Sequence, residues 1–313
     1  MIATVTLNPA IDKTIRTSRV VLGSVNRMDE ATDVAGGKGV NVTKVLLNFG
    51  YDVKTLGLLG GFSGKFIAKS IEDMGAVNAF TKVKGQTRTS INLITDDGYV
   101  TELLEPGPEI SPLELKKFVD SFENEIQDCE IVILSGSIPK GVDSKIYADL
   151  INIASNMGKK VLLDSSGDSL KKGMYARPFM IKPNINELQS LLGRKVTGMQ
   201  EIGEAASQLV EWGIPHVLVS MGSKGILYAK EGEDGTELYY VSAPKLKTVN
   251  TVGSGDAAVA AFAMAVLEGL NPSETVKKCV AVSAANTLSM ENGVIDRKKA
   301  EEIYGTLKLS GLT

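Results

Sequence analysis

From residue 111 onward, short and nearly continuous apolar runs alternate with amphipathic stretches of helical period. The runs are "EIVILSGS", "KKVLLDSS", "FMIKPN" and "HVLVSMGSKG", and helical patterns over 111–127, 143–157, about 184–192 and 199–213 separate them. A run with no polar side makes a strand that must be covered on both faces, and strands joined through helices run parallel. The alternation therefore predicts an α/β fold: a three-layer α/β/α, Rossmann-like core built on a mostly parallel sheet. The first hundred residues add "ATVTL" and "VKTLGLLG" as strands, with helices in "KGVNVTKVLLNFG", stopped by Gly50, and in "SGKFIAKSIEDMG". From Gly255 to the end the pattern is helical.

Two stretches fit a parallel sheet poorly. Residues 13–34 and 86–104 are polar or alternate apolar with polar, and "TSINLIT" and "YVTELLE" are joined by Asp97-Gly98, a hairpin signal. They read as a small β-layer over the C-terminal edge of the sheet, serving either as a lid or as a surface for a homodimer. With no internal repeat and no low-complexity linker, 1–313 reads as one domain carrying that lid.

Several function classes drop out. The net charge is −3 and no basic block is present, which argues against a nucleic-acid partner held through counterion release. No apolar run approaches the length needed to span a bilayer, so no membrane partner is expected. The start, "MIATVTLNPAID", lacks the basic segment of a secretory signal. Cys129 and Cys279 lie far apart without a CxxC partner, which suits a cytoplasmic location and excludes a thiolate zinc site. His216 is the single histidine, so a mechanism needing two is out of reach, and its run "PHVLVS" reads as ordinary strand.

Ligands of open α/β sheets sit at the C-terminal ends of the strands. The residues there are Asn8 and Asp12, Gly60-Gly61, "SGSIPKG", "DSSG", "KPNINE", "SMGSKG" and "NTVGSGD". Each alone could be a turn, but together they gather glycine, serine and amide groups on one edge, where backbone N–H groups bind phosphate. "GGFSGKF" is no Walker A loop, because Leu59 stands at its first glycine and Phe66 at its hydroxyl. "GSGDAA" is a poor dinucleotide fingerprint, since only helices follow it. As a catalytic loop it fits better. The N–H groups of Gly253, Ser254 and Gly255 would stabilise charge on a transferring phosphoryl group, and Asp256 would take a proton from an attacking hydroxyl. A helix-cap role for Asp256 stays open on sequence alone. In "AGGKGVN", Lys38 stands between glycines ahead of a helix, and Asn41 follows three residues later on the same face. In "KPNINE", Asn184 and Glu187 form a capping box, which leaves Glu187 able to order Mg²⁺ through water.

Taken in order, "TLNPAID", "AGGKGVN", "SGSIPKG", "KPNINE", "VSMGSKG" and "TVGSGD" resemble the PfkB branch of the ribokinase family across essentially the whole chain. The likeness is strongest to its 1-phosphofructokinase and tagatose-6-phosphate kinase group. The resemblance implies a ribokinase-like, ATP-dependent sugar kinase with a β-sheet lid. It implies Asp256 as base, with Gly253, Ser254 and Gly255 as the anion hole. Asp12, Gly37, Lys38, Gly39, Asn41 and Ser137 would hold the sugar. Lys182, Asn184 and Glu187 would lie near the ATP phosphates and Mg²⁺, and Ser220, Gly222 and Gly225 would line the nucleotide site. "AANTLSM", with Asn286, would wall the adenine. The loop reads GSGD where the family commonly has GAGD, and Ser254 is small enough to preserve its backbone N–H.

A phosphorylated sugar needs a cationic pocket of its own. Lys38, Arg27 of "VNR" and Arg88 of "TRTSIN" are the candidates, and arginine binds two phosphate oxygens at once. The expected substrate is a ketohexose phosphate converted to the 1,6-bisphosphate. "TLNPAID" and "TVGSGD" look closer to the 1-phosphofructokinase subgroup, and that resemblance implies fructose 1-phosphate ahead of tagatose 6-phosphate or fructose 6-phosphate. A non-catalytic sensor of sugar phosphates on a kinase scaffold is the rival class.

Overall fold

Along the strand Ile131–Ser135, Val132 and Leu134 enter one buried cluster while Ile131 and Ile133 enter another. Side chains of a strand alternate between faces, so a run apolar at every position has to be covered on both sides. The computed structural model describes residues 1–97 and 99–311 and shows that arrangement. Gly98, half of the expected Asp97-Gly98 turn, lies outside the described residues.

The chain begins β1 (Ile2–Thr6), β2 (Ala10–Thr17), β3 (Glu30–Gly36), α1 (Lys38–Asn48), β4 (Val53–Gly60) and α2 (Gly61–Asp73). It continues β5 (Val77–Val83), β6 (Arg88–Thr95), β7 (Val100–Leu104), α3 (Pro112–Glu125), β8 (Ile131–Ser135), α4 (Ile146–Asn156) and β9 (Lys160–Asp164). Next come α5 (Gly167–Met174), β10 (Met180–Ile181), α6 (Ile185–Leu192), α7 (Gly198–Glu211) and β11 (His216–Ser220). The last elements are β12 (Ile226–Gly232), β13 (Gly235–Val241), α8 (Ser254–Glu268), α9 (Pro272–Asn286) and α10 (Arg297–Thr306).

Nine strands form the main sheet in the order β13-β12-β11-β10-β9-β8-β1-β4-β5. Its pairs are parallel except β11–β12 and β12–β13, which are antiparallel. Helices α3 to α7 pack on one face around Phe118, Phe122 and Tyr147, and α1, α8, α9 and α10 pack on the other around Val45, Phe262 and Val280. The α/β/α layering expected from the sequence is therefore present. Three strands and one helix had no expectation. β5 is a half-exposed edge strand, β12 and β13 form a hairpin at the opposite edge with Ile226–Ala229 buried, and α5 is only two turns long.

The second sheet has four strands in the order β3-β2-β6-β7. Strand β2 pairs antiparallel with β3 and parallel with β6, and β6 pairs antiparallel with β7. It starts earlier than the polar pattern suggests, because β2 opens at Ala10, with only three residues between it and the end of β1. Paired residues share a face, so Asp12, Thr14, Arg16, Val34 and Asn92 look onto the core, while Ile15, Ile91, Leu93 and Leu103 look away from it. Between the two lies a cleft of about 790 Å³ that the inner face shares with Asn250, Val252, Glu291 and Asn292 of the core. No helix among the described residues is long and apolar enough to cross a membrane.

Candidate active site

Helix α8 is almost wholly apolar, and its buried face runs from Asp256 to Ala265. It starts from Gly253, whose φ of 79° lies in the left-handed region where glycine is at ease. No side chain caps this end. Among the described residues the N–H groups of Gly255 and Asp256 have no protein acceptor, while Ser254 Oγ donates to the Thr251 carbonyl at 2.8 Å. Free N–H groups at a helix N-terminus carry partial positive charge, which makes the place fit for an anion.

Asp256 stands in that first turn with only 5% exposure. Asn41 Nδ2 donates to its Oδ2 at 2.9 Å. Burial pushes the carboxyl up to about 6, with Lys38, Asn41 and Lys182 pulling against burial and Asp164 adding to it. A carboxylate with that proton affinity is ionised at neutral pH yet basic enough to accept a hydroxyl proton. The structure thus answers the capping question: Asp256 caps nothing by its side chain, and its partner is Asn41.

Gly37, with φ of 102°, turns the chain from β3 into α1 and lies against Pro9. Gly39 lies so close to Thr6 and the Val5 carbonyl that no Cβ fits. These contacts lay the start of α1 against the turn after β1 and send Lys38 towards the sheet. Its Nζ is 3.2 and 3.3 Å from the two oxygens of Asp164, the last residue of β9. Lys182, just past β10, brings a second ammonium to 3.3 Å from Asp164 Oδ1. Asp164 holds Lys38 above its ordinary value, against burial, and Asp256 and Glu187 add to the effect. Burial opposes ionisation of Asp164, yet Lys182 and Lys38 keep its carboxyl below the usual range. Lys182 Nζ also lies 3.1 Å from where a Cβ on Gly255 would sit. Asp164 is the site residue that the motifs did not single out, although it opens the "DSSG" stretch at a strand end.

On the lid side, Asp12 lies directly over Gly36 with no room there for a side chain. Burial raises its carboxyl, while Lys44, Arg88 and the Gly37 N–H pull it down. Lys44, on α1 one turn past Asn41, was not anticipated either. It is buried and reaches Glu291 Oε1 at 3.3 Å. Arg88 donates from Nε to the Asn8 carbonyl and from one terminal nitrogen to the Glu105 carbonyl, both at 3.2 Å. Asn8 Nδ2 in turn donates to Ser137 Oγ at 3.3 Å, and Asn8 Oδ1 is buried without a partner. Arg88, Asn8 and Ser137 therefore form one group at the C-terminal ends of β1 and β8.

Asn184 and Glu187 close the expected capping box, with Glu187 N to Asn184 Oδ1 at 2.9 Å and Asn184 N to Glu187 Oε2 at 2.8 Å. They border a second cleft of about 410 Å³ with Gly167, Asp168 and Lys171. Ser220 N donates to the Pro183 carbonyl at 3.0 Å, which sets Ser220 beside Asn184. Gly222 opens a short 3₁₀ turn, and Gly225 is pressed against the backbone at Val241–Ala243, where no Cβ fits.

No group of three acids, cysteines or histidines suited to a metal is found among the described residues. Glu187 keeps one oxygen clear of the capping box, and Mg²⁺ typically takes one or two carboxylates plus waters and phosphate oxygens. The donor set fits such an ion.

Two further expected site residues stand apart from these groups. Arg27 belongs to the exposed loop between β2 and β3, where its carbonyl accepts from Thr17 Oγ1 at 3.0 Å. Asn286 is 1% exposed, donates to the Val252 carbonyl and accepts from Gly293 N, both at 2.9 Å. It braces the Gly253 loop against the 290–293 turn.

The pfkB family carbohydrate kinase model matches residues 5–295. A tagatose-6-phosphate kinase of Staphylococcus epidermidis is 38% identical over 312 residues, covering 99% of each chain. Phosphofructokinase-2 of Escherichia coli in complex with substrates and products has a TM-score of 0.89 at 26% identity, covering 97% of this chain and 98% of its own. A Thermotoga maritima structure named as a "possible 1-phosphofructokinase" has a TM-score of 0.89 at 25% identity, covering 99% of both chains. With the match spanning nearly its whole length and the Gly253–Asp256 loop standing at a helix N-terminus beside two lysines, this chain belongs to the pfkB family of carbohydrate kinases.

Proposed function

We propose that this protein transfers the γ-phosphoryl group of ATP to a free CH₂OH of a ketohexose phosphate, giving the 1,6-bisphosphate. The observation that carries the reading is the buried Asp256 carboxylate, held by Asn41 at the free N-terminus of α8 with Lys38 and Lys182 close by. Asp256 accepts the hydroxyl proton as the sugar oxygen forms its bond to the γ-phosphorus. The bond from that phosphorus to the β,γ-bridging oxygen breaks, and ADP leaves. The Gly255 and Asp256 N–H groups and the two ammonium groups stabilise the charge on the moving phosphoryl group, since such transfers need mainly positioning and electrostatics. Glu187 would hold Mg²⁺ through water, and the ion when bound neutralises charge on the nucleotide phosphates.

The Arg88–Asn8–Ser137 group supports a substrate that already carries a phosphate, because a guanidinium and a hydroxyl are spare donors there. Relatives carry both names: the Staphylococcus epidermidis protein is named a tagatose-6-phosphate kinase, and the Thermotoga maritima structure is named a "possible 1-phosphofructokinase". Fructose 1-phosphate is our first choice and tagatose 6-phosphate the second. We place the protein in the cytoplasm, where its buried Cys129 and Cys279 would stay as free thiols. The lid's outward face, with Leu103 at 54% exposure and Leu22 of the adjoining loop at 93%, supports a homodimer through the lid. Changing Ile91 and Leu103 to glutamate should then halve the mass measured by light scattering.

The activity test is ADP release with Mg·ATP across fructose 1-phosphate, fructose 6-phosphate, tagatose 6-phosphate, fructose and ribose. Turnover confined to the phosphates supports the reading, and the largest kcat/KM names the substrate. Turnover on ribose or fructose alone would remove the phosphate subsite, and ATP binding without turnover on any sugar would favour the sensor.

A further inference from the structure

Asp164 is the most enclosed charge in the protein, with 0% exposure at the end of a central strand. With no exposed surface, its carboxylate is out of reach of a molecule in either cleft. Its contacts are instead the two ammonium groups that do belong there. Lys38 comes from α1, the helix that carries Asn41, and Lys182 comes from the "KPN" segment beside the second cleft. Both meet the same Oδ1. Without a shared counter-ion, two ammonium groups this close repel and each long side chain regains its rotamers. The carboxylate is fixed in turn: its strand is paired on both sides, its backbone carbonyl accepts from Gly136 N at 2.9 Å, and Lys182 N donates to the neighbouring Leu163 carbonyl at 3.2 Å.

We infer that Asp164 is a positioning residue for phosphoryl transfer, fixing Lys38 on the sugar side and Lys182 on the nucleotide side of the Gly255 N–H so that both charges meet the moving group. The inference rests on the kinase reading above. It adds that the two lysines act as one unit held by a third residue that never meets the substrate. Asp164 also sits near enough to Asp256 to add to that residue's proton affinity.

Asp164→Asn keeps the shape and removes the charge. Its kcat should fall about 100-fold, the scale of a misplacement of about 1 Å at a reacting group, with KM for the sugar phosphate changed little. The acid limb of its kcat/KM profile should move to lower pH, because a neighbouring carboxylate no longer favours protonated Asp256. In a cycle with Lys38→Met, Asp164→Asn should cost less than it does in the wild-type background, because only the placement of Lys182 is left to lose. Asp164→Asn combined with Lys182→Met removes both buried charges, so it should fold like wild type and remain slow. Several outcomes would overturn the inference: wild-type kcat and an unmoved profile in Asp164→Asn, full turnover in the Lys182→Met combination, or recovery of Asp164→Asn by excess Mg²⁺, which would make the carboxylate a metal ligand. Wild-type protein serves as the control for the reading beneath it, since silence of wild type on every sugar would sink the kinase assignment and not the placement of the lysines.

Discussion

Asn41 Nδ2 and Asp256 Oδ2 are 2.9 Å apart although 215 residues separate them in the chain. The bond joins the first turn of α1 to the first turn of α8, so the sugar-side helix orients the base directly. Asn41→Ala should lift the Asp256 carboxyl further, because a bond to the charged form is lost. Wild-type kcat/KM should fall as pH drops through about 6, and in Asn41→Ala that limb should lie at higher pH. A pH–rate profile of both proteins checks it.

Asp256→Asn should lower kcat by 10³-fold or more while ATP still binds, as titration calorimetry would show. The same change should stabilise the fold at neutral pH. The folded carboxyl titrates near 6 and the free one near 3.8, so between these values the folded state holds more protons and stability falls as pH rises. Removing the charge should raise Tm by a few degrees at pH 7.5, and the difference should close below about pH 4.

Asn286→Ala removes two buried hydrogen bonds that hold the Gly253 loop. Each such bond contributes about 1 kcal/mol, more where a group is left unpaired. Tm should fall and kcat should drop about tenfold, with KM for ATP nearly unchanged. A large rise in KM for ATP with normal kcat would show that the side chain meets the nucleotide after all.

Arg88→Ala should raise KM for the phosphorylated sugar by 10- to 100-fold and leave KM for ATP alone, as charge-assisted pairs to phosphate are strong. Arg88→Lys should recover only part of this, because an ammonium lacks the rigid fork that meets the Asn8 and Glu105 carbonyls and leaves donors for a phosphate. Equal losses for both sugar phosphate and unphosphorylated sugar would place Arg88 outside the phosphate subsite.

The layers were legible because every residue from Ile131 to Leu134 is apolar, which only a sheet covered on both faces satisfies. The loops at the strand ends were legible for the same reason: knowing the strand directions says where to look. What stayed hidden depends on distance in three dimensions. An aspartate after a strand looks like turn chemistry until Lys38 and Lys182 are seen on it. Lys44 could have been suspected, since it interrupts the apolar "NVTKVLL" on the face of Asn41. Asn286 was hard to place because an amide near a helix end suits a pocket wall as well as a loop brace. For Arg27, an arginine beside a lid segment says nothing of the direction its loop takes.

The lid joins the core through residues 7–9, Gly37, 84–87 and 105–111. Asn8 lies in the first of these joints, Lys38 directly after the second, and Arg88 directly after the third. The lid is therefore no interchangeable cassette. A chimaera that grafts the lid of one relative onto the core of another, cut at any of these joints, would carry or leave behind part of the reaction centre with it. Exchange of substrate preference among such enzymes should succeed only when the joints travel with the sheet.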